Sequence, residues 1–223
     1  IHDTTIGWRF TNKKLVQMGH TNTMGETAEN VARKWNISRE EQDAFALHSQ
    51  EKYFNAEQDG RFFNERIPVE IVQKKETIIF ASDEHPRATT REALSKLKPA
   101  FAADGSVTAG NSSGINDGAA CMILCSQEVV DEYGLKPMAK IKSMAIAGVE
   151  PAYMGIGPVF ASQKALQRAG LKVSDLGLVE LNEAFASQSI ACMRDLHLSP
   201  DVVNVNGGAI AIGHPLGASG TRI

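Results

Sequence analysis

From Ala139 onward the chain alternates short apolar runs with helical segments, and this alternation restricts the open folds more than any other feature. "AKIKSMAIAGV", "GLVEL" and "DVVNVN" read as strands, while "VFASQKALQRAG" (stopped by Gly170), "EAFASQSIACMRDL" and the start of "GASGTRI" read as helices. A chain that returns to a strand after each helix builds an α/β layer with the strands covered by helices. In such sheets the chemically active side chains gather beyond the carboxyl ends of the strands. Asn182 follows "GLVEL", and His214 follows "DVVNVN" through a glycine loop, so parallel neighbouring strands would bring both to one edge.

The first half is mixed. "MGETAENVARKWN" reads as a short helix and "SREEQDAFALHSQEKYFNAEQDG" as a longer one, with a capping box between Ser38 and Glu41 and a stop at Gly60. Ala44, Leu47 and Phe54 recur at helical spacing and are expected to face a core. "IPVEIVQ" and "TIIFASDE" read as two strands around "KKE". "TTREALSKL" suggests a second capping box through Thr89 and Glu92. "ACMILCS" reads as a buried strand and "QEVVDEYG" as a helix.

A formal net charge of −3 argues against nucleic-acid binding driven by bulk charge. No apolar run approaches the ~20 residues that span a bilayer. The chain opens at "IHDTT" without Met, an internal start, so the expected cytoplasmic location leaves organellar targeting open. Cys121, Cys125 and Cys192 have no metal-ligand spacing, and all three read as small buried thiols in a reducing compartment.

The stretch "NVNGGAIAIGHPLGASG" is the most constrained piece of backbone. Pro215 biases His214 towards an extended conformation, and Gly213 permits a positive φ and a close approach. The imidazole is then either a satisfied turn residue or a group aimed by its backbone for acid–base work near neutral pH. The loop lacks the Gly-Lys-Ser/Thr ending of a phosphate-cradling loop. Asn182 is either an N-cap or part of the same chemistry. "TAGNSSGINDGAA" is either a polar turn or a floor for a polar ligand tail, offering Asn111, Ser112, Ser113 and Asn116. The basic run "HPRATTREALSKLK" is either a solvated face or a receiver for a phosphorylated ligand, and Trp8 and Trp35 either pack or bind.

Taken together, "VTAGNSSGINDGAA", "LNEAFASQ", "NVNGGAIAIGHPLGASG" and the segment "MGETAENVARKWNISREEQDAFALHSQ" resemble the thiolase family, acyltransferases that make or cleave 3-ketoacyl-CoA. The resemblance implies a layered α/β/α/β/α core with an inserted loop domain, here incomplete. It assigns residues 1–115 to the loop domain, 116–136 to a returning strand and helix of the amino-terminal core domain, and 137–223 to a truncated carboxyl-terminal core domain. It implies that His214 activates a cysteine nucleophile and helps form an oxyanion hole, and that Asn182 holds a water beside it. It further implies that Ser113 contacts the pantetheine arm of CoA, that Phe101 lies near the CoA moiety, and that Met24, Met154 and Phe185 line the channel. Arg87 is placed near the CoA phosphates.

On this resemblance coenzyme A and acetyl-CoA are substrates, no cofactor or metal is permanently bound, and acyl-CoA thioesters are the partners. Neither nucleic acid nor membrane is expected, and the full-length protein is expected to be a homo-oligomer, dimer or tetramer. The family's nucleophilic cysteine is expected upstream of Ile1 and its proton-shuttling cysteine downstream of Ile223. None of Cys121, Cys125 or Cys192 stands in either motif, so the bare chain is expected to show no turnover and to leave apolar faces needing cover. A catalytically inactive CoA-binding module derived from a thiolase is the alternative. A decarboxylating condensing enzyme is disfavoured by the asparagine of "NEAF", where those enzymes usually place a histidine.

Overall fold

The computed structural model describes residues 10–223; Trp8 lies outside the described residues. In chain order the helices are α1 (Lys13–Gln17), α2 (Met24–Lys34), α3 (Arg39–Gln58), α4 (Arg91–Ser95), α5 (Gln127–Tyr133), α6 (Gly157–Ala169), α7 (Ala186–Leu196), α8 (Ala209–Ile212) and α9 (Ser219–Arg222). Two 3₁₀ turns, Pro151–Ile156 and Val173–Asp175, precede α6 and α7 respectively. β1 (Val69–Val72) and β2 (Thr77–Phe80) form an antiparallel hairpin, with Val69 opposite Phe80 and Val72 opposite Thr77.

The caps explain where the long helices begin. Ser38 accepts from the Glu41 amide at 3.2 Å while Glu41 reaches back to the Ser38 amide at 2.9 Å, and Thr23 and Glu26 repeat the arrangement at α2. The expected box at Thr89 and Glu92 is displaced by one residue. Thr90 caps α4 by accepting from the Ala93 amide at 3.2 Å, which leaves Glu92 one position short of the reciprocal bond.

Helix α7 lies at the centre. One apolar cluster joins its Ala191, Cys192 and Leu196 to Val31 and Ile37, Ile156 and Val159; another joins Ala186 to Ala46, Leu94 and Ile210. Burial raises the Cys192 thiol to about 11, so it remains a small apolar filler.

Of the residues expected to face a core on α3, Leu47 and Phe54 are half-buried and pack against apolar clusters, and Ala44 is half-buried. The fully buried face is shared with polar residues: Gln42, Asp43, Ala46, Ser49, Gln50, Tyr53 and Ala56. The inward polar groups are engaged. Gln42 donates to Ser106 Oγ at 2.9 Å, Asp43 accepts from Asn111 at 2.9 Å, Ser49 donates to Glu183 at 2.7 Å and Gln50 donates to the Ile210 carbonyl at 3.2 Å. Alongside the apolar clusters at Ala46 and Tyr53, α3 faces loop backbone and polar side chains, and such groups need partners once they are removed from water.

The expected parallel pairing survives as a short bridge. Val179 and Val203 are parallel partners, with the Val179 amide on the Val202 carbonyl at 2.8 Å and the Asn204 amide on the Val179 carbonyl at 2.9 Å. Residues 120–126 and 139–149, expected as strands, form none among the described residues. A buried strand needs ladder partners, and no described residue pairs with either run. Cys121 and Cys125 are consequently exposed, contrary to the buried thiols expected, and Ile123 is 90% exposed. Among the described residues no helix is long and apolar enough to cross a membrane.

Ser38→Ala should lower the stability of the full-length protein by about 1 kcal/mol, the usual worth of an N-cap. The reading is a lower urea midpoint at unchanged slope. An unmoved midpoint would show that this cap contributes nothing.

Candidate active site

One irregular strap, residues 107–116, ties the polar clusters together. Its entrance is held by Glu29 of α2, whose buried carboxylate accepts from the amides of Ser106 and Val107, both at 2.9 Å. Asn111 is then fixed from three sides. Its Oδ1 accepts from the Thr108 amide at 2.8 Å, its Nδ2 donates to Asp43, and its carbonyl accepts from the Ala186 amide at 2.9 Å. Ser113, half-buried, donates its amide to the Ala184 carbonyl at 3.0 Å, and Ser112 bridges Phe185. Further along, Ile115 bridges His214, and the Asn116 Oδ1 accepts from the His214 amide at 3.1 Å. The strap therefore touches "NEAF" at one end and the histidine loop at the other.

Gly213 adopts φ +97°, and a Cβ there would run into the Asn116 carboxamide, so only glycine lets the loop lie against the strap. The His214 ring then sits between two side chains. Its Nδ1 is 2.7 Å from Ser219 Oγ, and its Nε2 is 3.4 Å from Asn182 Nδ2. The Ser219 hydroxyl also donates to the Pro215 carbonyl at 3.3 Å, so towards the ring it acts as acceptor. That assigns the ring proton to Nδ1 and leaves the Nε2 lone pair facing Asn182.

The expectation that Asn182 might merely cap the next helix is overturned. Helix α7 starts at Ala186 with Phe185 as its N-cap residue and no side-chain cap bond, while the Asn182 carboxamide lies beside His214. Phe185 meets Phe101 edge to face with ring centroids 6.0 Å apart, and Phe101 covers Gly25 of α2 so closely that a side chain there would strike its ring. Met24, next to Gly25, is 53% exposed.

Asn182 thus meets His214, and Phe185 meets Phe101, while Ser113 joins the "NEAF" segment only through its amide on the Ala184 carbonyl, and Met24 adjoins Gly25 under Phe101. Met154 lies further along, 41% exposed, in the 3₁₀ turn that packs on α2. Arg87 stands apart. Its amide donates to Gln50 Oε1 at 3.0 Å, but its side chain is exposed and no contact joins its guanidinium to the others. Among the described residues no group of three or more His, Cys, Asp or Glu side chains could hold a metal ion.

Sequence reasoning missed Ser219 and Glu183. Ser219 lies five residues after the histidine and reaches back only because the chain turns into α9 after Pro215. Glu183 was hidden because an acid inside a motif reads as solvent-facing. It is instead buried, accepting from Ser49, from Asn204 Nδ2 at 2.9 Å and from the Ile210 amide at 3.1 Å.

Burial disfavours the imidazolium and lowers the His214 pKa below the ordinary histidine value of about 6.5. Acidification through that value protonates the unfolded chain before the folded one. The stability that this group contributes at neutral pH is therefore lost as pH falls from the unfolded towards the folded pKa. An NMR titration of His214 in the full-length protein should give a midpoint below about 6.5, and His214→Gln should remove the corresponding part of the acid destabilisation. A midpoint at or above that value would mean a solvated ring.

Known proteins share this arrangement of motifs. Residues 3–128 match the family model described as "Thiolase, N-terminal domain", and residues 135–223 the one described as "Thiolase, C-terminal domain". The beta-ketoadipyl-CoA thiolase of Acinetobacter baylyi is 53% identical over 227 aligned positions, covering 100% of this chain and 57% of that protein. The acetyl-CoA acetyltransferase of Syntrophomonas wolfei is 57% identical over 202, covering 90% and 51%. The chain spans little more than half the length of these curated relatives. The crystal structure of the Bacillus anthracis acetyl-CoA acetyltransferase superimposes with a TM-score of 0.89 at 42% identity, over 100% of this chain and 59% of that one. That of human mitochondrial 3-ketoacyl-CoA thiolase gives 0.84 at 42%, over 99% and 57%. With both family models matched in order along the chain and solved thiolases sharing its α/β fold, the chain belongs to the thiolase family.

Proposed function

We propose that this chain supplies the His214/Asn182 oxyanion hole and part of the CoA site of a thiolase-class acyltransferase, acting by thiolysis or Claisen condensation of 3-ketoacyl-CoA. The observation that carries the reading is the Asn182 Nδ2–His214 Nε2 approach of 3.4 Å. With the ring proton on Nδ1, a neutral imidazole has an unprotonated Nε2 that takes a proton from a thiol. Once protonated, it becomes a donor towards a developing oxyanion beside the Asn182 carboxamide and the water it holds.

In this scheme a cysteine from outside the chain attacks the substrate carbonyl after losing its proton to His214 Nε2. The Nδ1–H stays directed at Ser219, so the imidazolium that forms is held in place. In cleavage the bond between Cα and Cβ of the 3-ketoacyl group then breaks, the acetyl-CoA enolate leaves and takes a proton from a second outside cysteine, and the thiol of free CoA releases the acyl group from the first. In synthesis the acyl-enzyme forms with CoA as the leaving group, and the enolate made when the second cysteine removes the α-proton of acetyl-CoA attacks the acyl carbonyl and frees the first cysteine. The exposed thiols Cys121 and Cys125 have no part in these steps. Ser113, Phe101, Phe185, Met24 and Met154 would receive the pantetheine and acyl portions, and Arg87, on its exposed loop, the phosphates. We assign residues 1–115, 116–136 and 137–223 to loop, amino-terminal core and carboxyl-terminal core domains.

The names of the relatives favour the degradative branch, with beta-ketoadipyl-CoA thiolases prominent among them. The working unit on this reading is a cytoplasmic homo-oligomer of the longer protein, using CoA as substrate and needing no permanent cofactor. Exposed thiols suit a reducing compartment.

In the full-length protein Asn182→Ala should lower kcat for 3-ketoacyl-CoA thiolysis by ~10²–10³, as expected for loss of one oxyanion donor. Ser113→Ala should instead raise KM for CoA while leaving kcat nearly unchanged, because it removes binding shared by ground and transition states. A full-length protein that binds CoA but cleaves no 3-ketoacyl-CoA would replace this reading with that of a non-catalytic CoA-binding module.

A further inference from the structure

We propose that Glu183 is a positioning residue: its buried carboxylate sets the spacing between Asn182 and His214 by tying the backbone beside one to the loop that carries the other. The inference rests on the thiolase reading of that pair.

The geometry is specific. Asn182 is the single residue between two anchored neighbours. On one side, Leu181 is paired edge to edge with the Asn204 carboxamide, its amide donating at 2.7 Å and its carbonyl accepting at 2.8 Å. On the other, Glu183 takes the second hydrogen of the same Asn204 Nδ2, the Ser49 hydroxyl and the Ile210 amide. Ile210 belongs to α8, which runs into Gly213 and His214. Ser49 also accepts from the Gly208 amide at 3.0 Å, so the carboxylate holds this turn directly at Ile210 and through Ser49 at Gly208. A Cβ at Gly208 would collide with this carboxylate.

Three donors converge on the Glu183 carboxylate, from Ser49, Asn204 and Ile210. Burial, the largest influence, raises its pKa above the usual carboxylate value, while those donors and the nearby Lys52 ammonium oppose the rise. Lys52 is itself fixed on the carbonyls of Pro200 and Val203 at 3.0 and 2.8 Å. An isosteric amide cannot reproduce the pattern, because its NH₂ would face a donor and leave one of them without an acceptor. The slack would fall on the Asn182–His214 distance.

The test is made on the full-length protein with Glu183→Gln, alone and combined with Asn182→Ala. The expected result is a fall in kcat of about 10–100-fold with KM for CoA changed by less than about twofold, and a further fall of less than about twofold in the Asn182→Ala background. Glu183→Asp should recover part of the loss. Retention of kcat in Glu183→Gln, or multiplication of the two effects in the double variant, would overturn the proposal and leave Glu183 a purely stabilising group. Should Glu183→Gln fail to fold, Ser49→Ala removes one donor and keeps the charge; the same non-additivity with Asn182→Ala is expected, and simple multiplication overturns the idea.

A wild-type protein without thiolysis defeats the functional reading separately. The positioning claim is then read from the NMR proximity signal (NOE) between the Asn182 carboxamide and the His214 ring, which should weaken in Glu183→Gln. An unchanged signal would overturn the claim.

Discussion

Backbone amides taken out of water in irregular loops must find acceptors, and here buried carboxylates provide them. Glu29 receives the amides at the entrance of the strap, Asp43 receives the Asn111 side chain that fixes its middle, and Glu183 receives the turn leading to His214. Each acid lies on, or bonds to, a helix packed against the centre. A carboxylate that accepts several short bonds also resists replacement, because a buried donor stripped of its acceptor costs about 1–3 kcal/mol.

This anchoring explains how a histidine on a glycine loop acquires a defined orientation. The ring is constrained by the Asn116 carboxamide at its amide, by Ser219 at Nδ1 and by Asn182 at Nε2. Two of these partners come from distant stretches of the chain. Partial burial disfavours the charged ring, and the Ser219 hydroxyl engages Nδ1, leaving Nε2 to face Asn182. A base for a thiol needs both conditions, and neither follows from the presence of histidine alone.

The apolar packing is uneven. Helices α2, α6 and α7 enclose a tight cluster, whereas Leu124, Ile141, Met144 and Ile146 remain exposed. The hairpin β1–β2 shows apolar side chains to solvent along both strands. Chains of the family that superimpose on this one are longer, and apolar surface of this extent is what a larger assembly covers.

Local chemistry wrote much of this into the sequence. The capping box at Ser38, the helix stop at Gly170, the two strands around "KKE" and the turn at Gly213-His214-Pro215 depend on near neighbours, so residue order alone determined them. The pairing of Asn182 with His214 was legible as two strand ends on one edge of an α/β layer. The polar share of the buried face of α3 was not, because apolar periodicity assumes an apolar neighbour, and Gln42, Asp43, Ser49 and Gln50 meet polar groups brought by distant segments. Nor were the strands at 120–126 and 139–149, whose apolar residues promise a ladder that only partner strands can complete. Ser219 at Nδ1 and the burial of Glu183 were likewise decided in three dimensions. A side chain's partners, and with them its charge and its proton, depend on which distant segments fold against it.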